Sequence, residues 1–122
     1  MGISNDAPRY LYSPDPGDDL DYGFDVSELL DGETVNLLTL TITLDAATLA
    51  LGVQIETDGQ HAPGIAGDGV TLVYWLNVAA AHQADPVFDR FGVEFMVTVA
   101  FYTTHTPPRH FERSAIVTER NR

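Results

Sequence analysis

Apolar side chains recur at every second position in six separate stretches of this chain, and that spacing constrains its fold more than any other feature. Leu20, Tyr22, Phe24 and Val26 open the series, followed by Leu38, Leu40, Ile42 and Leu44 and by Leu49, Leu51, Val53 and Ile55. Val70, Leu72, Tyr74, Leu76 and Val78 form the fourth set, and Val93, Phe95, Val97, Val99 and Phe101 the fifth. In the last run Phe111, Arg113, Ala115 and Val117 lie opposite Glu112, Ser114, Ile116 and Thr118. Successive side chains of an extended strand point to opposite faces, so each run describes a ribbon with one dry side and one wet side. Several such ribbons with turn signals between them predict an all-β antiparallel sandwich of about seven strands.

Departures from the alternation carry information too. Val35 and Leu37 are out of phase with the Leu38 to Leu44 set, which predicts a β-bulge. SELLDGE (27–33) reads as a tight turn or one helical turn, capped by Ser27 and left through Gly32. AAAHQADPVFDRF (79–91) has no strand pattern and is expected to be a long loop with a helical turn. Residues 1–19 contain Pro8, Pro14, Pro16 and Gly17 and are expected to form an extended N-terminal arm, with the sandwich domain spanning 20–122. Tyr10, Leu11 and Tyr12 interrupt the polarity of that arm, so it is expected to dock on its own domain or on another copy.

A chain of 122 residues suits one domain, which at that size buries roughly two-thirds of its unfolded surface without needing a staple. It has no cysteine, which excludes disulfides, thiolate metal sites and a cysteine nucleophile. No apolar run approaches the length of a membrane span and the N-terminus lacks a secretory core, so the expectation is a soluble protein made in the cytoplasm. The net charge is -12 with no lysine, a field that disfavours nucleic acid and anionic membranes. Nine of the eighteen acids precede Thr34, whereas five of the six arginines follow Asp89.

Candidates for chemistry are sparse. None of the four serines stands in a nucleophile elbow, and GIAGDG lacks the lysine of a phosphate-binding loop. The cluster Asp15, Asp18, Asp19 and Asp21 has the oxygen density of a calcium site but not an EF-hand spacing, and reads as a solvated acidic linker. His105 and His110 flank a hairpin tip without a third ligand, so no metal is expected there. His61 and His82 lie in loops and carry no signal. Trp75 falls on the outward register of its strand; together with Tyr102 it is a possible platform for stacking a sugar or docking a partner, unless a second sheet or the 79–91 loop covers it. Neither catalytic residues, nor a metal, nor a cofactor is expected.

The remaining signal lies in the order of several short motifs. SPDPGDDLDYGFDVSELLDGETV near the start, GVTLVYWLN in the middle and the closing FERSAIVTER together resemble a family of small tailed-phage proteins, the fiber-tail adaptors. Members open with Asp-Pro-Asp, then Leu-Asp-Tyr, an aspartate followed by a hydrophobic residue and Ser, and an Asp-Gly-Glu turn. They continue with an apolar strand ending in Trp-Leu, as at 75–76, and a last strand carrying Glu-Arg-Ser, as at 112–114. The likeness covers Ser13 to Arg120. The sequence departs from it where tryptophans near the first turn are replaced by Val26 and Leu29 or Leu30, where QHAPGIAG is inserted, and where residues 79–91 replace a short loop.

The resemblance implies an immunoglobulin-like sandwich and a non-enzymatic virion component at the neck or tail, joining fibers or neighbouring tail and head-completion proteins. Its partners would be other virion proteins and copies of itself. The charge asymmetry and the apolar arm suggest a head-to-tail contact in which Tyr10, Leu11, Tyr12, Asp21, Asp25, Arg109, Arg113 and Arg120 take part. Two other readings remain open: a carbohydrate- or receptor-binding module using Trp75 and Tyr102, and a capsid decoration protein.

Overall fold

The computed structural model describes Tyr10, residues 14–89 and residues 91–120. Strands β1 (Leu20–Asp25), β3 (Val53–Ile55), β4 (Gly64–Ile65) and β5 (Thr71–Val78) form one antiparallel sheet. β5 runs through its middle, with β1 along one side and β3 and β4 along the other. Strands β2 (Val35–Thr43), β6 (Val93–Thr103) and β7 (His110–Glu119) form the second sheet, in the order β2-β6-β7. The fold is therefore an all-β sandwich of seven strands in two antiparallel sheets.

The alternation places the core as expected in the two central strands. Leu72, Tyr74, Leu76 and Val78 of β5 and Phe95, Val97, Val99 and Phe101 of β6 are buried in one cluster. Each such side chain contributes roughly 1.5–3 kcal/mol by leaving water, so these two strands carry a large share of the driving force. Phe88, from the loop between them, is also fully buried. That loop contains two 3-10 turns, Ala80–His82 and Pro86–Phe88.

The β2 bulge is present and larger than a single residue. Asn36 pairs with Tyr102 and Thr41 with Ala100, so five steps along β2 are matched by two along β6. Side chains hold the extra residues in place. Asn36 Oδ1 accepts from the Leu38 amide (3.2 Å), while Thr39 Oγ1 donates to the Asn36 carbonyl (2.7 Å) and accepts from the Tyr102 amide (2.9 Å). Leu38, expected on the inner face, is thereby pushed into solvent at 97 % exposure, with Leu37 exposed beside it.

Three other expectations are corrected. The stretch beginning at Thr48 is not a strand until Val53; it starts as the helix α2 (Ala46–Ala50). Asp45 Oδ1 accepts from the Thr48 amide (2.8 Å) and hydroxyl (2.6 Å), which caps the helix, and the alanines that follow are good helix formers. As a result Thr48 is buried and Leu49 exposed, the reverse of the alternation. The turn after β1 is a short helix, α1 (Ser27–Leu30), but Ser27 does not cap it: Asp25 Oδ1 accepts from the Ser27 amide at 2.8 Å. In β7, Ala115, Ile116 and Val117 are all buried, so both faces are covered where Tyr10 bonds to Ile116.

The described part of the arm is packed on its own domain. The Tyr10 amide donates to the Ile116 carbonyl (3.1 Å) and the Arg120 amide to the Pro14 carbonyl (3.0 Å), so Tyr10 and Pro14 each sit against the last strand or its end. The Tyr10 ring stands edge-on to Tyr22 at 5.0 Å. Its hydroxyl donates to the Gly23 carbonyl (3.1 Å) and lies 2.8 Å from the Tyr74 hydroxyl. β7 and β1 are edge strands of opposite sheets, and Tyr10 bridges the seam between them.

Candidate functional site

On the outer face of the β1-β5-β3 sheet, alternation turns Trp75 away from the core, opposite Asp21 of β1. The chain leaving β3 passes Glu56, whose amide donates to the Trp75 carbonyl at 3.0 Å. It then turns through the 3-10 segment Gly59–His61, where Gly59 takes a φ of 54° that favours glycine. This turn brings His61 back over the sheet. The imidazole lies flat on the Trp75 indole, with ring centroids 3.8 Å apart and planes within 6°. Trp75 is therefore covered by the 56–63 loop, and not by a second sheet or by the 79–91 loop as expected.

Two carboxylates complete the group. His61 Nδ1 is 3.0 Å from Glu56 Oε1 and 3.8 Å from Oδ2 of Asp19, which stands just ahead of β1. Among the described residues, Asp19, Glu56 and His61 form the one set of three or more such side chains whose ligand atoms lie within 4.8 Å of one another. The charges respond to this crowding. Asp19 is raised above the ordinary aspartate range, first by its hydrogen bond with Glu56. Glu56 is lowered, first by that bond and then by the one from His61. His61 is raised, first by its hydrogen bond to Glu56. Such a set of one imidazole and two carboxylates can hold a cation or a shared proton.

The residues singled out from the sequence do not gather into a single site. Tyr10 lies in the seam of its own sandwich, and Leu11 and Tyr12 fall outside the described residues. Asp21 and Asp25 are exposed on β1, with Asp25 held below the usual aspartate range, first by the Ser27 amide. Arg109 reaches Asp31 at 3.8 Å in an exposed pair. Arg113 lies over the Phe111 ring at 5.4 Å and donates to the Glu112 carbonyl. Arg120 meets the arm through its backbone. Tyr102 is exposed and tilted against His110 at 4.6 Å. Of the two histidines of the last hairpin, His105 has its Nδ1 2.8 Å from the Thr103 hydroxyl, and His110 is the one tilted against Tyr102.

A second ionisable group, unmarked in the sequence, sits in the interior. Glu119 is 2 % exposed and its Oε2 has no hydrogen-bond partner among the described residues. Burial, and then the negative charges of Asp18 and Asp15, push its carboxyl up to about 8.

In the sequence alone His61 reads as a loop histidine without a role. The signal that would have found it is the outward register of Trp75 combined with Glu56, which continues the outward face of β3. No protein-family model, no curated protein and no solved structure matches the chain.

Proposed function

We propose that this chain is a non-enzymatic structural protein of a tailed-phage virion, an adaptor at the neck or tail that works by burying surface against neighbouring proteins. The ordered motifs shared with the fiber-tail adaptors, and the immunoglobulin-like sandwich they imply, support this reading. The observation that carries it furthest is the β2 bulge. β2 is an edge strand, and its bulge presents Leu37 and Leu38 to solvent on a scaffold of side-chain hydrogen bonds rather than as a frayed loop. An apolar knob built this way on a strand edge is suited to insertion into a partner. The exposed acids of β1 and the arginines of the last hairpin would orient that contact. Rim ion pairs contribute only about 0–1 kcal/mol each, so the apolar contact supplies most of the affinity.

The double substitution Leu37→Ser and Leu38→Ser tests this. It removes only exposed apolar surface, so the melting temperature of the isolated chain is expected to hold within about 2 °C. Incorporation into particles, measured by complementing a strain that lacks the gene, should fall at least tenfold (on the order of 1.4 kcal/mol of contact energy). Normal incorporation would exclude the bulge as the contact. The carbohydrate-binding reading has less support: the face of Trp75 that would stack on a sugar is occupied by His61.

A further inference from the structure

We infer that Asp19, Glu56 and His61 form a binding site for a divalent transition-metal ion of the zinc class, with Trp75 as the wall that holds the imidazole in place. The three donors come from separate segments, the root of β1, the end of β3 and the following 3-10 turn, yet converge on one point. Zinc bonds of roughly 2.0–2.1 Å in a tetrahedral site place neighbouring ligand atoms about 3.3–3.4 Å apart. The separations of 3.0 Å and 3.8 Å from His61 Nδ1 to the two carboxylates bracket that value.

A second observation points the same way. Glu56 Oε2, the oxygen not engaged by His61, is closed off from solvent, and the Asp19 carboxyl crowds against Glu56 closely enough that a hydrogen bond between the two raises Asp19. Two carboxyls held this close cannot both carry a full charge without a proton or a cation between them, and a divalent ion placed between Glu56 and Asp19 takes the place of the shared proton. The imidazole needs little ordering before it binds, since the indole already fixes its plane. The presence of an imidazole nitrogen among the donors favours the zinc class over calcium or magnesium, which prefer all-oxygen shells. Asp19 and His61 remain partly exposed, which leaves an open coordination position for water. Bound there, the ion would tie the root of the arm to the 56–63 loop.

Trp75 is the chain's single tryptophan, so its emission reports on this site alone. Untagged protein, stripped with chelator, is titrated with Co²⁺ or Ni²⁺, whose open d shells quench an adjacent indole. The expected result is saturable quenching with a midpoint in the micromolar range and one ion per chain, reversed by Zn²⁺. Zn²⁺ alone should raise the melting temperature by several degrees. Glu56→Gln and Asp19→Asn are each expected to weaken binding roughly tenfold or more, while the emission of the ion-free variants stays that of the stacked tryptophan. If quenching does not saturate below about 1 mM, or if the curves of both variants superimpose on that of the parent protein, the three side chains are an ion pair of imidazolium and carboxylates and the inference is overturned.

Discussion

Replacing Tyr10 by alanine is expected to lower the melting temperature by roughly 10 °C. Tyr74 is fully buried, and its hydroxyl donates to the Tyr10 oxygen, which itself donates to the Gly23 carbonyl. Removing Tyr10 strands that hydroxyl, at about 1–3 kcal/mol, and strips an aromatic ring from the seam between the sheets. The sum is roughly 2–4 kcal/mol, and each kcal/mol is worth about 4 °C in a chain of this length. Tyr10→Phe should cost about 1–2 kcal/mol, because the ring survives and only the hydrogen bonds are lost. Adding Tyr74→Phe should then cost little more, since a donor removed with its acceptor leaves nothing unsatisfied. Thermal denaturation of the three variants measures this. An unchanged melting temperature for Tyr10→Ala would mean that the arm does not close its own domain in solution. The same anchoring predicts that deletion of residues 1–12, which removes Tyr10, destabilises the isolated chain; of the two dockings expected for the arm, that on its own domain is the one the structure shows for Tyr10.

The second large effect is a loss of stability as pH rises, centred on Glu119. Its carboxyl is raised from an ordinary value of 4.5 to about 8 in the fold, chiefly by burial. Between those values the folded chain holds a proton that the unfolded chain has released. Stability from this group is therefore complete below about pH 4.5, falls as pH climbs, and levels off above about 8. The difference across the window is roughly 2–4 kcal/mol, part of the full linkage value being relieved by local relaxation. Glu119→Gln keeps the shape and removes the ionisation, so it should match the parent at pH 5 and melt several degrees higher at pH 8.5. His61 is also raised and loses stabilisation in the same direction, which is why the difference between variant and parent, not the parent curve alone, is the quantity to read. Parallel melting curves for the two proteins from pH 5 to 8.5 would show that Glu119 is solvated in the fold.

Most of the architecture was legible because its cause is local. Alternation over β5 and β6 requires only that each strand have one wet face, and their inward residues are the core. The places where reading from sequence failed are those where a side chain far away, or a polar group competing with the backbone, decides the outcome. Leu49 and Leu51 fit a strand, but Asp45 captures the Thr48 amide and hydroxyl and starts a helix. Leu38 fits an inward position, but Thr39 takes over the Tyr102 amide and turns the leucine out. The candidate site was half legible: Trp75 was placed outward correctly, while His61 and Asp19 reach it only through the path of a glycine-containing loop and the sheet order. Glu119 ends a strand whose period put it with Val117 on the inner side, yet a buried acid is costly enough that the pattern alone does not lead one to expect it.

Whether this protein acts by position is most directly tested by proteomics of purified particles produced from the genome that encodes it, with copy number measured against the major tail protein. The chain is expected in intact particles at a fixed number of several copies, cross-linked through residues near Leu37 and Leu38 to a neck, tail or fiber protein. Abundant chain in the infected-cell lysate together with its absence from purified, infectious particles would contradict it.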